Sequence, residues 1–398
     1  MKQVSAVTFS DFNGSNGMSS VVLLKEQGVS IIRIDIPWND IEKTKGVYTF
    51  TKYDDEILAA RKAGFDVLPV LAYVPEWNKR IKGQIGSPPS DYSAWRDFVG
   101  ATVKRYRATP YNIDFFQIWN EPTMKAKFWL GDNIDFITNV YIPAAKIVRG
   151  YNGKVVFGGW PQSNSLDEFD HILDKLGAIQ YTDIIDFHYR DYKSYIRFYD
   201  KYIKTNKAEG IWQTELGYSS KPQYLLSTYL GIMNWALNHN WVSADMYKVF
   251  WYPAWGSREK NLYGLATTLK DRTETLTENG KELTLLNQIY GAGALLSQKI
   301  RSNVEIDPEA NDYIFGVMVG GKDVVIANSL SNNSQKTWQY EFSTDRKPKS
   351  VTMILVNGDK HPLSYSYSNG TLQVFVDEND IHNFLGNLKR KIFFIKVS

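Results

Sequence analysis

Asp66-Val67-Leu68-Pro69-Val70-Leu71-Ala72-Tyr73 has no polar residue between its first and last positions. A strand with one wet face alternates polar and apolar residues. A run that is apolar throughout is what a strand buried on both faces needs, and such strands belong to parallel sheets covered by helices. Seven more stretches read as strands: Ser5–Ser10, Ile31–Trp38, Ile113–Trp119, Lys154–Trp160, Ile184–Tyr189, Gly210–Thr214 and Tyr247–Trp251. Helical patterns lie between them. Tyr53–Ala63 is one, ended by Gly64 where a left-handed residue closes a helix. Ser90–Tyr106 is another, with Ser90 or Asp91 as N-cap after Pro88-Pro89. Eight strands alternating with helices predict an α/β chain folded as a (β/α)8 TIM barrel. The rival, a doubly wound open sheet, usually carries a glycine-rich phosphate loop, and neither that nor a Walker sequence is present.

After about Ser297 the pattern changes. Asp312–Val319, Asp323–Asn328, Thr337–Phe342, Ser350–Val356, Leu372–Val376 and Ile392–Val397 alternate as strands do, punctuated by Gly320-Gly321, Asn357-Gly358 and Asn369-Gly370. Such dipeptides mark tight hairpins. The expected organisation is a catalytic barrel over residues 1–297 and a C-terminal antiparallel β-sandwich over 298–398. Thr267–Thr284, rich in Thr and Glu, reads as a long loop after the eighth strand, at the rim of the barrel mouth.

Composition bounds the function. The chain has 398 residues, 43% hydrophobic and 22% charged, with a formal net charge of +3. Near-neutral charge without a basic run argues against a nucleic-acid partner. No stretch is apolar enough to span a membrane. The absence of cysteine excludes disulfides and thiolate metal sites. With no export signal at Met1–Phe9, the chain is either cytoplasmic or extracellular with a signal removed, and the second is the expectation. Aromatic residues are plentiful, with 12 Trp, 25 Tyr and 20 Phe. Rings of this kind stack on the flat C–H faces of sugars as readily as they fill cores.

Chemistry in a (β/α)8 barrel sits at the C-terminal ends of the strands. The fourth ends in Gln117-Ile118-Trp119-Asn120-Glu121-Pro122 and the seventh in Ile211-Trp212-Gln213-Thr214-Glu215-Leu216-Gly217. These strands face each other across the mouth, so two long carboxylates can converge. Glycoside hydrolysis needs such a pair. One carboxyl protonates the leaving oxygen, and the other attacks the anomeric carbon or activates water. Other constellations fail: His171, His188, His239, His361 and His382 lack zinc-like spacing, and there is no G-x-S-x-G elbow. Glu42 and Glu76 are rival carboxylates without a comparable partner.

Trp119-Asn120-Glu121-Pro122, with Glu215 on the seventh strand, resembles clan A of the retaining glycoside hydrolases. Gly28–Trp38, continuing through Ile41-Glu42 and Gly46–Phe50, looks closest to family 39 and its relatives. The resemblance implies that Glu121 is the acid/base, Glu215 the nucleophile and Asn120 a ligand of the sugar 2-hydroxyl. It implies that Arg33 bonds the nucleophile and keeps it ionised; the competing reading is an ion pair of Arg33 with Asp35. His188 or Tyr189 would orient Glu215. Trp251 would lie under the reacting sugar, with Trp255 as rival for that place. Tyr73, Trp77 and Trp160 would form flanking subsites.

The expected activity is hydrolysis of an O-glycosidic bond by double displacement, without cofactor or metal. The substrate is a carbohydrate, and a monomer is favoured. The aromatic rim (Tyr73, Trp77, Trp129, Trp160, Trp255) favours internal cleavage of a polysaccharide. The alternatives are an exo-acting, xylosidase-like enzyme and a silent barrel that only binds glycan. Transglycosylation at the same site is a further possibility.

Overall fold

The computed structural model describes residues 5–9, 23–191, 193–217, 223–239, 247–256, 263–268, 273–291, 295–307, 309–331, 335–385 and 390–398. Eight parallel strands form a closed barrel in chain order: β1 (Ser5–Phe9), β2 (Val29–Pro37), β3 (Asp66–Ala72), β4 (Phe115–Ile118), β5 (Lys154–Val156), β6 (Ile184–Asp186), β7 (Gly210–Gly217) and β8 (Tyr247–Tyr252). All eight expected strands are present. The expected end of the first, Ser10, lies outside the described residues. Three strands are shorter than their sequence pattern by three residues or more. β4, β5 and β6 stop where the chain turns toward the barrel mouth.

Inward and outward residues alternate along a strand, and one layer fixes which parity faces in. Ile31, Leu68, Val156, Ile184, Trp212 and Phe250, one each from β2, β3, β5, β6, β7 and β8, form one buried cluster, with Phe115 of β4 packed against it. Only the barrel interior brings six strands to one cluster. On β2 this parity aims Arg33 and then Asp35 inward above Ile31. On β6 it aims Asp186 inward above Ile184.

The helices cap as their sequences suggest. Thr51–Lys62 ends before Gly64, whose φ is +83°. Tyr92–Arg107 begins at Asp91, whose side chain accepts the Ser93 amide. Thr267–Thr284 is not a loop. Glu274–Leu276 pairs antiparallel with Ala266–Thr268, and a helix runs from Glu278 to Tyr290. Residues 269–272 lie outside the described set. The sequence hides this helix because Asn279 and Gly280 stand at its start and the Thr- and Glu-rich residues lie mostly before it.

By contacts the chain divides into two compact units, Val4–Tyr218 with Asp245–Thr277, and Met1–Gln3 with Ser219–Ala244 and Glu278–Ser398. The second unit therefore includes the helices Tyr224–Asn238 and Glu278–Tyr290. It also holds two antiparallel sheets. One runs in the order 295–298, 313–319, 323–330, 391–397, 351–355, 360–362; the other runs 301–302, 338–343, 371–376, 364–368. Ile326, Met353, Phe393 and Ile395 from the first share a core with Trp338, Tyr340, Leu372 and Val374 from the second. The three expected hairpin dipeptides all take left-handed backbone at their glycines. No described helix is long and apolar enough to cross a membrane.

Trp212 is the largest side chain of the barrel floor and is fully buried. Trp212→Ala should lower unfolding stability by about 3–5 kcal/mol, the usual range for a buried Trp, read from the urea midpoint and slope. A loss under about 1 kcal/mol would remove this layer from the account of barrel stability.

Candidate active site

Glu121 and Glu215 meet at the C-terminal mouth of the barrel. An oxygen of each, together with a ring nitrogen of His188, lies within 4.8 Å of the others. Strict alternation would not have produced this. With Trp212 and Thr214 facing in, the next residue should face out. The β7–β8 register shifts between Gln213 and Leu216, so that β7 carries one extra residue against β8. A bulge of this kind re-aims a side chain, and here it turns Glu215 into the mouth.

Backbone in the left-handed region does the same work on the other side. Tyr73 (φ 68°), Trp119 (71°), Glu121 (44°) and Tyr189 (53°) all adopt it just beyond β3, β4 and β6. Left-handed non-glycine residues are uncommon, and their clustering at one end of a barrel marks a functional rim. Glu121 is held there by its amide, which donates to the Gly158 carbonyl at 2.6 Å. Trp119 anchors the turn from outside: its indole donates to the Phe128 carbonyl, and its ring packs against Trp95 and Trp129.

Arg33, 2% exposed, uses its whole fork. Nε donates to Gln117 Oε1 at 2.8 Å, Nη1 to Glu215 Oε1 at 2.9 Å, and Nη2 to Asn120 Oδ1 at 2.7 Å. Thus the expected Arg33–Glu215 contact is made, and the rival pairing with Asp35 is not its hydrogen-bonding arrangement. The Tyr189 hydroxyl donates to Glu215 Oε2 at 2.9 Å. Burial alone would raise the pKa of Glu215, but His188, Arg33 and Tyr189 together outweigh it and hold the carboxyl below its ordinary value.

His188 is fully buried. Its Nδ1 lies 2.9 Å from Glu121 Oε1 and 3.8 Å from Glu215 Oε2. Between the two readings left open by the sequence, Tyr189 therefore bonds Glu215 and His188 bonds Glu121. A glycine makes room for the ring: a Cβ on Gly159 would come 2.1 Å from His188 Nε2, and Gly159 has φ +63°. Burial pulls the His188 imidazole down, but Glu215, Glu121 and Asp186 more than reverse this, and it titrates above its ordinary range.

The aromatic expectations need correction. Trp160 is fully buried, stacked on Phe169 with centroids 5.1 Å apart, and its indole donates to the Ser165 carbonyl. Trp129 is likewise buried, donating to Asp132. Neither ring can meet a sugar. Trp251 is also fully buried and donates to the Tyr263 carbonyl. The parity that points Phe250 inward turns Trp251 away and points Tyr252 to the mouth. Trp251 packs instead beside Gly217, where a Cβ would meet it at 2.9 Å. Tyr73, Trp77 and Trp255 remain half-buried, although Lys45 lies over the Trp77 ring at 5.9 Å. Glu42 accepts from the Trp38 indole and the Gly46 amide, both at 2.6 Å, and is a loop-closing residue. Glu76 is exposed and paired with Lys79.

Sequence reading missed five participants: Gln117, Asp35, Asp186, Thr214 and Gly159. Inward parity from the floor layer identifies Gln117, Asp35, Asp186 and Thr214; Gly159 left no signal beyond being a glycine near a strand end. Asp35 is a third carboxyl of the mouth, raised by burial and by Glu215 against the pull of Arg33. Glu121, His188 and Glu215 have the spacing of a metal trio. However, the Arg33 guanidinium already supplies the positive charge at Glu215. The arrangement suits a carboxyl pair in which Glu215 is held ionised better than a cation.

No family model matches the chain. A β-xylosidase of Geobacillus stearothermophilus is 30% identical over 92 residues, covering 22% of this chain and 18% of that protein. The match thus spans under a fifth of the relative's length. Among solved structures, a family 39 glycoside hydrolase from Bacteroides cellulosilyticus aligns with a TM-score of 0.67 at 13% identity, covering 100% of this chain and 81% of the other. A family 30 endoxylanase from Clostridium papyrosolvens gives 0.63 at 16%, covering 100% and 97%. A family 30 xylanase from Clostridium acetobutylicum gives 0.61 at 17%, covering 100% and 96%. The chain has the fold that the family 39 and family 30 glycoside hydrolases share.

Proposed function

We propose that this chain is a retaining glycoside hydrolase. One observation carries the reading: a carboxylate held ionised by Arg33 and Tyr189 has an oxygen within 4.8 Å of an oxygen on a second carboxyl. Two such groups can act on one anomeric centre. Their closeness supports direct attack, which uses a separation of about 5–5.5 Å, over an inverting site that must seat a water between carboxyls roughly 6.5–9.5 Å apart.

In the proposed first step Glu215 attacks the anomeric carbon while Glu121 gives its proton to the departing oxygen. In the second, Glu121 as carboxylate takes a proton from water, which attacks the glycosyl-enzyme and frees Glu215. Asn120, its carbonyl oxygen committed to Arg33 and its amide group also bonded to the Tyr73 hydroxyl, has one amide hydrogen left for a sugar hydroxyl. The two sheets with a common core support reading residues 298–398 as a β-sandwich, whose proposed role is structural.

The finer reading is internal cleavage of a polysaccharide. It now rests on Tyr73, Trp77 and Trp255, since Trp129 and Trp160 are buried. The partial likeness to a β-xylosidase favours the alternative, removal of a terminal sugar. Reducing-end analysis of digests separates them. Oligosaccharides of mixed length are expected early in the reaction, and monosaccharide alone would overturn internal cleavage.

Glu215→Ala should cut turnover of an activated aryl glycoside roughly 10,000-fold, with partial recovery in azide. Undiminished turnover would remove Glu215 from the mechanism. Tyr189→Phe deletes a donor that favours the ionised nucleophile, so the Glu215 carboxyl should rise. The acid limb of the kcat/KM profile should then move to higher pH by about one unit, since a hydrogen bond to a charged group is worth roughly 1.5 kcal/mol and one unit about 1.4 kcal/mol. An unmoved limb would show that Tyr189 does not set the acidity of Glu215.

A further inference from the structure

Behind His188 lies a hydrogen-bond chain that the reaction above does not use. Asp186 Oδ1 accepts the Thr214 amide at 2.9 Å, and its Oδ2 accepts the Thr214 hydroxyl at 2.6 Å. Thr214 Oγ1 lies 3.0 Å from His188 Nε2. Asp186 Oδ2 itself is 4.0 Å from Nε2, too far for a direct bond. All three side chains are fully buried.

Counting protons along this chain settles its direction. Burial pushes the Asp186 carboxyl up to about 6, with His188 and Thr214 pulling against it. Its two oxygens receive the Thr214 amide and hydroxyl, and the charges of His188 and Arg33 stand nearby, an environment that favours the ionised form, which can only accept. Thr214 has a single hydroxyl proton, and the shortest bond it makes commits that proton to Asp186. The Thr214 oxygen must then accept from His188, which places a proton on Nε2. In the neutral ring Nδ1 is left as a bare acceptor, 2.9 Å from Glu121 Oε1.

We propose that Asp186, acting through Thr214, fixes one His188 proton on Nε2, so that Nδ1 and Glu121 Oε1 share a single further proton between them, the one that Glu121 delivers to the leaving oxygen. Asp186 and Thr214 are positioning residues here. The inference rests on the assignment of Glu121 as acid/base. When Glu121 gives up its proton to the leaving oxygen, the new carboxylate faces a lone pair on Nδ1. That opposition makes Glu121 a stronger base for the proton of the incoming water. The 2.9 Å contact couples proton movement at Glu121 to His188. The other groups facing it are Glu215 on β7, Arg33 and Asp35 on β2, Tyr73 beyond β3, Tyr189 beyond β6 and Tyr252 on β8.

Two measurements test this. The first is the pH profile of kcat/KM for aryl glycosides with poor and good leaving groups. Asp186→Asn offers Thr214 a donor, which lets the hydroxyl turn to Nε2 and moves the ring proton to Nδ1. Thr214→Val removes the acceptor altogether. Either should lower the basic limb by about one pH unit and cut the poor-leaving-group rate about tenfold, with the good-leaving-group rate changed less than about twofold. Thr214→Ser should restore the wild-type profile. A basic limb unmoved in folded Thr214→Val overturns the proposal. The second is the tautomer of His188 in the unmodified protein, read by NMR from its ring nitrogens once the imidazole is neutral. A proton on Nε2 is expected, and one on Nδ1 overturns the proposal. This measurement needs no substrate and no variant, so its result is independent of whether the protein turns over any glycoside.

Discussion

The barrel mouth is organised around one buried guanidinium. Arg33 reaches Gln117 on β4, Asn120 just beyond it and Glu215 on β7 with its three nitrogens. A planar fork with fixed donor directions can hold three acceptors in one geometry, which a lysine could not. Because the group is almost wholly buried, its charge is little screened by water, and its effect on Glu215 is correspondingly large. The same contact fixes where Asn120 points, and through the short Asn120-Glu121 step it limits where the second carboxyl can go.

That arrangement needs departures from regular strand geometry. Alternation from the floor layer delivers Arg33, Asp186 and Thr214 to the interior, but it would turn Glu215 outward. The extra residue in β7 corrects this. Glu121 and Tyr189 are delivered by left-handed turns at positions that carry side chains. Each such residue costs roughly 1–3 kcal/mol. The closed barrel beneath, with its buried floor, offsets that cost. Strain at the mouth and regularity in the floor are parts of one design.

Much of this was legible in the sequence, and the losses have physical causes. Apolar runs gave the eight strands, and the chemistry of paired carboxyls pointed to Glu121 and Glu215. Arg33, His188 and Tyr189 stand close to one or both of them. The aromatic residues misled, because a Trp at a strand end looks the same whether its ring faces the mouth or the surrounding helices. Trp160 on Phe169 and Trp251 beside Gly217 are packing residues. What decides between the two is parity relative to a floor layer, and in β7 the bulge breaks even that. The helix Glu278–Tyr290 was lost because its first turn holds Asn279 and Gly280, both poor helix formers.

The aggregate of charge explains why the parts cannot be exchanged singly. Arg33 and His188 stand among Glu121, Glu215, Asp186 and Asp35; Arg33, His188 and Asp186 are out of reach of water and the other three carboxyls are only partly exposed. Removing one member of a buried ionic set leaves its partner uncompensated, which costs more than the pair contributed. Loss of the Arg33 charge would therefore push Glu215 toward its protonated form, for burial already acts in that direction. Loss of the Asp186 charge would act in the opposite sense at the other carboxyl, by freeing the His188 proton to move toward Glu121. The two carboxyls share these partners: His188 beyond β6 lies against both Glu121 and Glu215, while Arg33 on β2 and Tyr189 beyond β6 bond Glu215.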